Sequence, residues 1–189
     1  MQERMTADRY RVIDLFLFMC ILAVFEFLIA KAAVSWFPDE AWTVTAVCGI
    51  TAIVMVRWGP WCLIHAALGG VVTAAVSGGN TNQILTYAIG NMAAIAVMPL
   101  VRKWGWKRLK SETGPCFLFS ALTVLAMQAG RAAVSLILGG KPDGIWLFVT
   151  TDALTYVFTI LIVWVASRQD GMLEDQKHYL KRLNRGQNQ

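Results

Sequence analysis

Residues 115–138 read PCFLFSALTVLAMQAGRAAVSLIL, a run in which Arg131 is the one charged residue. At ~1.5 Å per residue such a helix exceeds the ~30 Å hydrocarbon core of a bilayer. The run therefore reads as a membrane span. Its arginine then becomes the central question. An ionisable side chain near the bilayer centre costs about 2.5–3.5 kcal/mol on insertion scales, so it needs a partner or a role.

Working outward, five more apolar segments have spanning length, at 12–34, 41–57, 60–77, 83–101 and 145–167. Turn signals separate them: Phe37-Pro38-Asp39-Glu40, Trp58-Gly59-Pro60, Ser77-Gly78-Gly79-Asn80, Gly114-Pro115 and Gly139-Gly140-Lys141-Pro142. The second segment is short and rich in Thr, Val and Ile. The expected fold is an all-α membrane protein, a six-transmembrane-helix bundle over 1–167 with a cytoplasmic tail at 168–189. The first span follows a basic stretch, and Ala30-Lys31-Ala32 resembles a leader cleavage site. Its apolar run exceeds the ~7–15 residues of a leader core, so it reads as a retained helix.

Composition agrees with the spans. Of 189 residues, 57% are hydrophobic and only 15% charged, with mean hydropathy +0.52. Soluble domains carry about 25% charged residues. A soluble chain this short could not bury so much apolar surface. A soluble enzyme, a nucleic-acid module and a disordered chain are all disfavoured. The basic balance instead maps topology. Fourteen of the seventeen Lys and Arg fall at the N-terminus, at Arg57, between spans four and five, and in the tail. The positive-inside rule then puts both termini in the cytoplasm of a multi-pass protein of the bacterial plasma membrane.

Polar residues inside the spans point to a site. Counted along their helices, Glu26, Asn91, Arg131 and Asp152 fall at similar depth, in the outer half. Gln83, Tyr87 and Asn91 share one face of span four. Gln128, Arg131 and Ser135 share a face of span five, and Asp152, Thr155, Tyr156 and Thr159 form a stripe on span six. Such stripes should face the bundle interior, because lipid offers them no partner. The inner half is mostly aliphatic, which reads as a pocket open to the outside. The plain alternative is that Arg131 and Asp152 neutralise each other and Glu26 pairs with Lys31. It leaves Asn91, Gln128 and the tyrosines unexplained.

The aromatics divide. Trp36, Phe37, Trp42 and Trp146 flank the external loops. Interfacial tryptophan usually anchors a helix in the bilayer, but flat rings over a pocket could also stack on a heteroaromatic ligand. His65 lies alone in span three and reads as a packed core residue. Ala66, Gly70 and Ala74 form a small-residue face for close helix approach, within the bundle or between subunits. The four cysteines form no CxxC pair and need no metal or disulfide. The tail spaces Met172, Leu173, Tyr179, Leu180 and Leu183 near helical period. That suits an amphipathic helix on the membrane or a partner, or a solvated extension. There is no GxSxG, HExxH or GxxxxGK[ST] motif, so neither catalysis nor ATP hydrolysis is expected in this chain.

In its size, its six spans and the stretches Trp58-Gly59-Pro60-Trp61, Ala66-Ala67-Leu68-Gly69-Gly70 and Gly90-Asn91, the chain resembles the substrate-binding S components of energy-coupling-factor vitamin transporters. The resemblance implies a small micronutrient, vitamin or nucleobase-like, bound from outside without a cofactor. It also implies coupling to a transmembrane T subunit and two ATPase subunits. The binding residues would be Glu26, Trp36, Tyr87, Asn91, Gln128, Arg131, Trp146, Asp152 and Tyr156. The family's AxxxA docking pattern is missing from the first helix, where Phe18 to Phe25 reads FMCILAVF. That leaves the small face of span three, or weaker docking. The rival reading is a six-span scaffold resembling shape-determining membrane subunits, which would need no pocket.

Overall fold

The computed structural model describes residues 7–36, 44–142 and 145–180. These are helical and turn segments, with no strand among the described residues. The order is α1 (Ala7–Trp36), α2 (Val47–Trp58), α3 (Cys62–Val76), α4 (Thr81–Asn91), α5 (Met98–Ser111), α6 (Thr113–Ile137), α7 (Ile145–Thr150) and α8 (Ala153–Arg168). The expected turn at 37–40, Trp42, and the tail beyond Leu180 lie outside the described residues.

Four helical stretches are long and apolar enough to cross a membrane: Asp8–Trp36, Val47–Val76, Thr81–Ser111 and Thr113–Ile137. Ala153–Arg168 is apolar but shorter. The stretch Val47–Val76 is not one rod. Gly59 takes φ +63°, which ends α2, and Pro60 opens a single 3₁₀ turn that leads into α3. A Cβ built on Gly69 would lie 2.7 Å from Val47 Cγ1, so the two halves fold back on each other as a hairpin.

Two other segments differ from their sequence reading. Span four runs on through a 3₁₀ stretch, Met92–Val97, into the basic helix α5, which bends at Gly105 (φ +73°). Span six is interrupted at Thr151-Asp152. Asp152 sits at the N-cap of α8 but makes no side-chain cap there, because its carboxylate turns inward to an arginine.

The surface, like the core, is largely apolar. All twelve residues of α2 are buried, so this helix runs down the middle of the bundle. Large apolar side chains stand on the outside: Phe16, Leu17, Phe25 and Leu28 of α1, Ile64 and Leu68 of α3, Leu118 and Leu125 of α6, and Val157 and Leu161 of α8. Charged and polar groups lie inside, among them Asp14, Glu26, Arg57, Asn91, Arg131 and Asp152.

With apolar surroundings on both sides, close backbone approach must hold the helices together. The face of α3 made by Ala66, Gly70 and Ala74 does this against α4. A side chain on Gly70 would overlap the Tyr87 backbone, and Asn91 Nδ2 donates to Ala66 O at 3.3 Å. That face is therefore covered within the chain. Between α4 and α6, a Cβ on Gly90 would lie 2.6 Å from the Arg131 backbone, and one on Gly130 would overlap the Gly90 carbonyl.

Candidate functional site

Two ionic centres lie at opposite ends of α1. Asp14 and Glu26 are twelve residues apart, about 18 Å along the helix. Leu22, Val54 and Val124, all fully buried, fall between the two levels on their helices. The bundle thus has two polar ends and an apolar waist.

At the first end, Glu26 is fully buried. Its Oε2 accepts from the Thr45 hydroxyl at 2.9 Å and from the Ala46 amide at 3.0 Å. Its Oε1 accepts from the Thr73 hydroxyl at 2.7 Å. Thr73 Oγ1 also lies 2.9 Å from Gly69 O. A hydroxyl has one proton, so Thr73 donates to one of these two oxygens. Glu26 thereby ties α1 to the start of α2 and to α3. Among the described residues it forms no ion pair, with Lys31 or any other cation.

Arg131 Nη1 donates to Asp152 Oδ2 at 2.5 Å, and its Nε donates to Asn91 Oδ1 at 2.7 Å. The guanidinium carbon lies 4.7 Å from the centroid of the Tyr87 ring. Three helix segments, α4, α6 and the start of α8, therefore meet on one side chain. One turn deeper, Tyr156 donates to Gln128 Oε1 at 2.7 Å. Gln128 Nε2 is buried with no partner among the described residues, and so is Thr159 Oγ1. This second layer is polar but incompletely satisfied.

A cavity of about 160 Å³ lies over the first layer. Thr45, Thr73, Gln83, Tyr87, Arg131 and Asp152 supply its polar wall, and Val44 and Ala74 part of its apolar wall. Gln83 is fixed there by a reciprocal cap with Asn80, which starts α4. A neighbouring cavity of about 340 Å³, between α4, α6 and α7, shares Gln83 and Tyr87 with the first. Those two side chains form the partition between them.

Of the nine residues singled out from sequence, Tyr87, Arg131 and Asp152 line the cavity. Glu26 stands behind Thr45 and Thr73, and Asn91 behind Arg131. Gln128 and Tyr156 form the deeper layer. Trp36 and Trp146 are 75% and 72% exposed and line neither cavity. Thr45 and Thr73 were not marked as site residues. Threonine is unremarkable in an apolar span until an acid is seen to face it.

The other end holds a second centre missed from sequence. Arg57 Nε and Nη2 donate to the two Asp14 oxygens at 2.9 and 2.7 Å. Trp58 Nε1 donates to Asp14 Oδ2 at 2.6 Å. Arg57 Nη1 donates to the carbonyl oxygens of Gly171 and Met172 at 2.5 and 2.9 Å. Residues 171–176 are thereby drawn against the bundle, with Leu173 and Gln176 fully buried. The available signal was Asp14, an acid in an apolar run beside a chain of aromatics.

Among the described residues no group of three or more His, Cys, Asp or Glu side chains comes together to hold a metal. Compared with protein-family models, with curated proteins and with solved structures, the chain matches none.

Proposed function

We propose that this chain is a membrane-embedded, substrate-binding subunit of an energy-coupling-factor type importer, which captures a small, polar, ring-containing micronutrient from outside the cell. In this reading the helices cross the plasma membrane six times and both termini face the cytoplasm. The cavity end then faces out, and the Asp14–Arg57 end, with the basic loops, faces in. A transmembrane T subunit and two ATPases supply the energy, since the chain carries no ATP-binding loop.

The observation that carries the reading is the cavity over a buried, hydrogen-bonded layer of Glu26, Arg131, Asp152 and Asn91. A scaffold has no need of such a layer at one end of its bundle and an apolar waist beneath it. Polar groups converging on a cavity are the ordinary mark of a ligand site.

The test is to purify the chain in detergent and identify what it carries. One small molecule in near-stoichiometric amount, together with co-purifying ATPase subunits, is expected. A preparation that retains no small molecule and captures no ATPase favours the six-span scaffold.

A further inference from the structure

We infer that the ligand of this cavity is a cation, a protonated amine or a positively charged nitrogen heterocycle, whose charged end is no larger than one ring. The inference rests on the binding reading above and narrows it. Three charged side chains meet at this end, Glu26, Arg131 and Asp152, each no more than 3% exposed. Arg131 and Asp152 cancel each other at 2.5 Å. Glu26 is different. Its hydrogen-bond partners are two hydroxyls and one backbone amide, all neutral donors. In its ionised form this carboxyl group accepts all three bonds, and a cation in the cavity would hold it in that form. With Glu26 ionised, the layer carries one negative charge that no cation among the described residues pairs.

Thr45 and Thr73 relay that charge to the cavity. Both hydroxyls are hydrogen-bonded to Glu26 and both line the cavity, the Thr45 proton committed to Glu26 and the Thr73 proton to Glu26 or to Gly69 O. A hydroxyl whose proton is committed turns only lone pairs to its remaining neighbours. With Asp152 also on the wall, that side of the cavity accepts hydrogen bonds and repels anions. A carboxylate ligand would add a second negative charge in a desolvated place, beside an arginine that is already neutralised. A cation brings the count to zero. The size limit follows from the volume: about 160 Å³ here, close to the ~150 Å³ that accommodates a benzene ring.

The experiment titrates the purified chain, by calorimetry in lipid nanodiscs, with three matched one-ring probes: benzylammonium, benzyl alcohol and benzoate. The co-purifying molecule is identified in parallel by mass spectrometry. Benzylammonium is expected to bind at least about tenfold tighter than the other two. Glu26→Gln should remove that advantage, with the thermal unfolding midpoint measured alongside to show that the bundle stays folded. If benzyl alcohol or benzoate binds as tightly as the cation, or if Glu26→Gln leaves the cation unaffected, the charge class is overturned and the binding reading stands. Where no probe binds, the co-purifying molecule decides: a cation supports the inference, and a neutral or anionic compound overturns it. Binding of no probe and retention of no molecule overturn the binding reading itself, and this inference with it.

Discussion

Arg131 illustrates why one buried charge must be judged by what surrounds it. Its partners come from two other helix segments, Asp152 and Asn91, and Tyr87 lies against its flat face. Removing Asp152 alone leaves a buried guanidinium without its counter-ion, a loss of about 3–5 kcal/mol in comparable pairs. Asp152→Ala is thus expected to lower the thermal unfolding midpoint in detergent strongly, and Arg131→Met likewise. The double variant Arg131→Met/Asp152→Ala should recover much of that stability, because neither charge is then left alone. Ligand binding should stay lost in all three. A double variant that regains stability and also binds would make the pair purely structural. The four charged or amide residues of this layer were legible in the sequence because each interrupts an apolar run. Thr45 and Thr73 were not, since a threonine in such a run carries no signal until its neighbour across the bundle is known. Trp36 and Trp146 show the converse. Tryptophan at a helix end is equally suited to a bilayer interface and to a lid, and the exposure of both fits either role.

At the scale of elements, the helices themselves were readable from apolar length and turn residues. Their breaks were harder. Span six is interrupted at Thr151-Asp152, where Asp152 turns its carboxylate to Arg131, a contact across the bundle that local sequence does not reveal. The same holds for the segment after α8. Its spacing suited a helix on the membrane, on a partner or in solvent. Its described part turns back under the bundle, where Arg57, already bidentate on Asp14, donates to two of its carbonyls, and it is helical again over 176–180. That attachment depends on the five-donor planar fork of arginine, which lysine lacks. Arg57→Lys keeps the charge beside Asp14 but cannot reach acid and carbonyls together. Amide hydrogen exchange across residues 171–176 is expected to accelerate about tenfold or more in Arg57→Lys, while exchange in the buried turns of α2 and α6 slows or holds. Equal acceleration throughout would mean that the whole bundle had loosened. Unchanged exchange at 171–176 would mean that Leu173 and Gln176 hold the segment by packing alone.

For the whole molecule, the distribution of side chains is the argument. Large apolar side chains stand on the outside as well as in the core, and the few buried charges gather at two levels. Water on all sides would disfavour that surface, and lipid explains it. Orientation follows from connectivity. Asp14 near the start of α1 and the Gly171–Met172 carbonyls after α8 meet on Arg57, so both ends of the described chain lie at one end of the bundle. The α2–α3 turn, which carries Arg57, lies there too. The α3–α4 turn, with the cap formed by Asn80 and Gln83, lies at the cavity end. Placing the basic end in the cytoplasm yields a definite labelling pattern. With the four native cysteines replaced by alanine, single cysteines at exposed turn positions should sort by side. Asn82→Cys and Lys141→Cys are expected to react with a membrane-impermeant thiol reagent in intact cells. Glu112→Cys and Gly114→Cys should react only after the membrane is opened. Reaction of all four in intact cells would mean that the chain does not alternate across the bilayer. The reverse pattern would keep the bundle but invert it, placing the cavity toward the cytoplasm and turning the proposed importer subunit into a protein that meets its ligand from within.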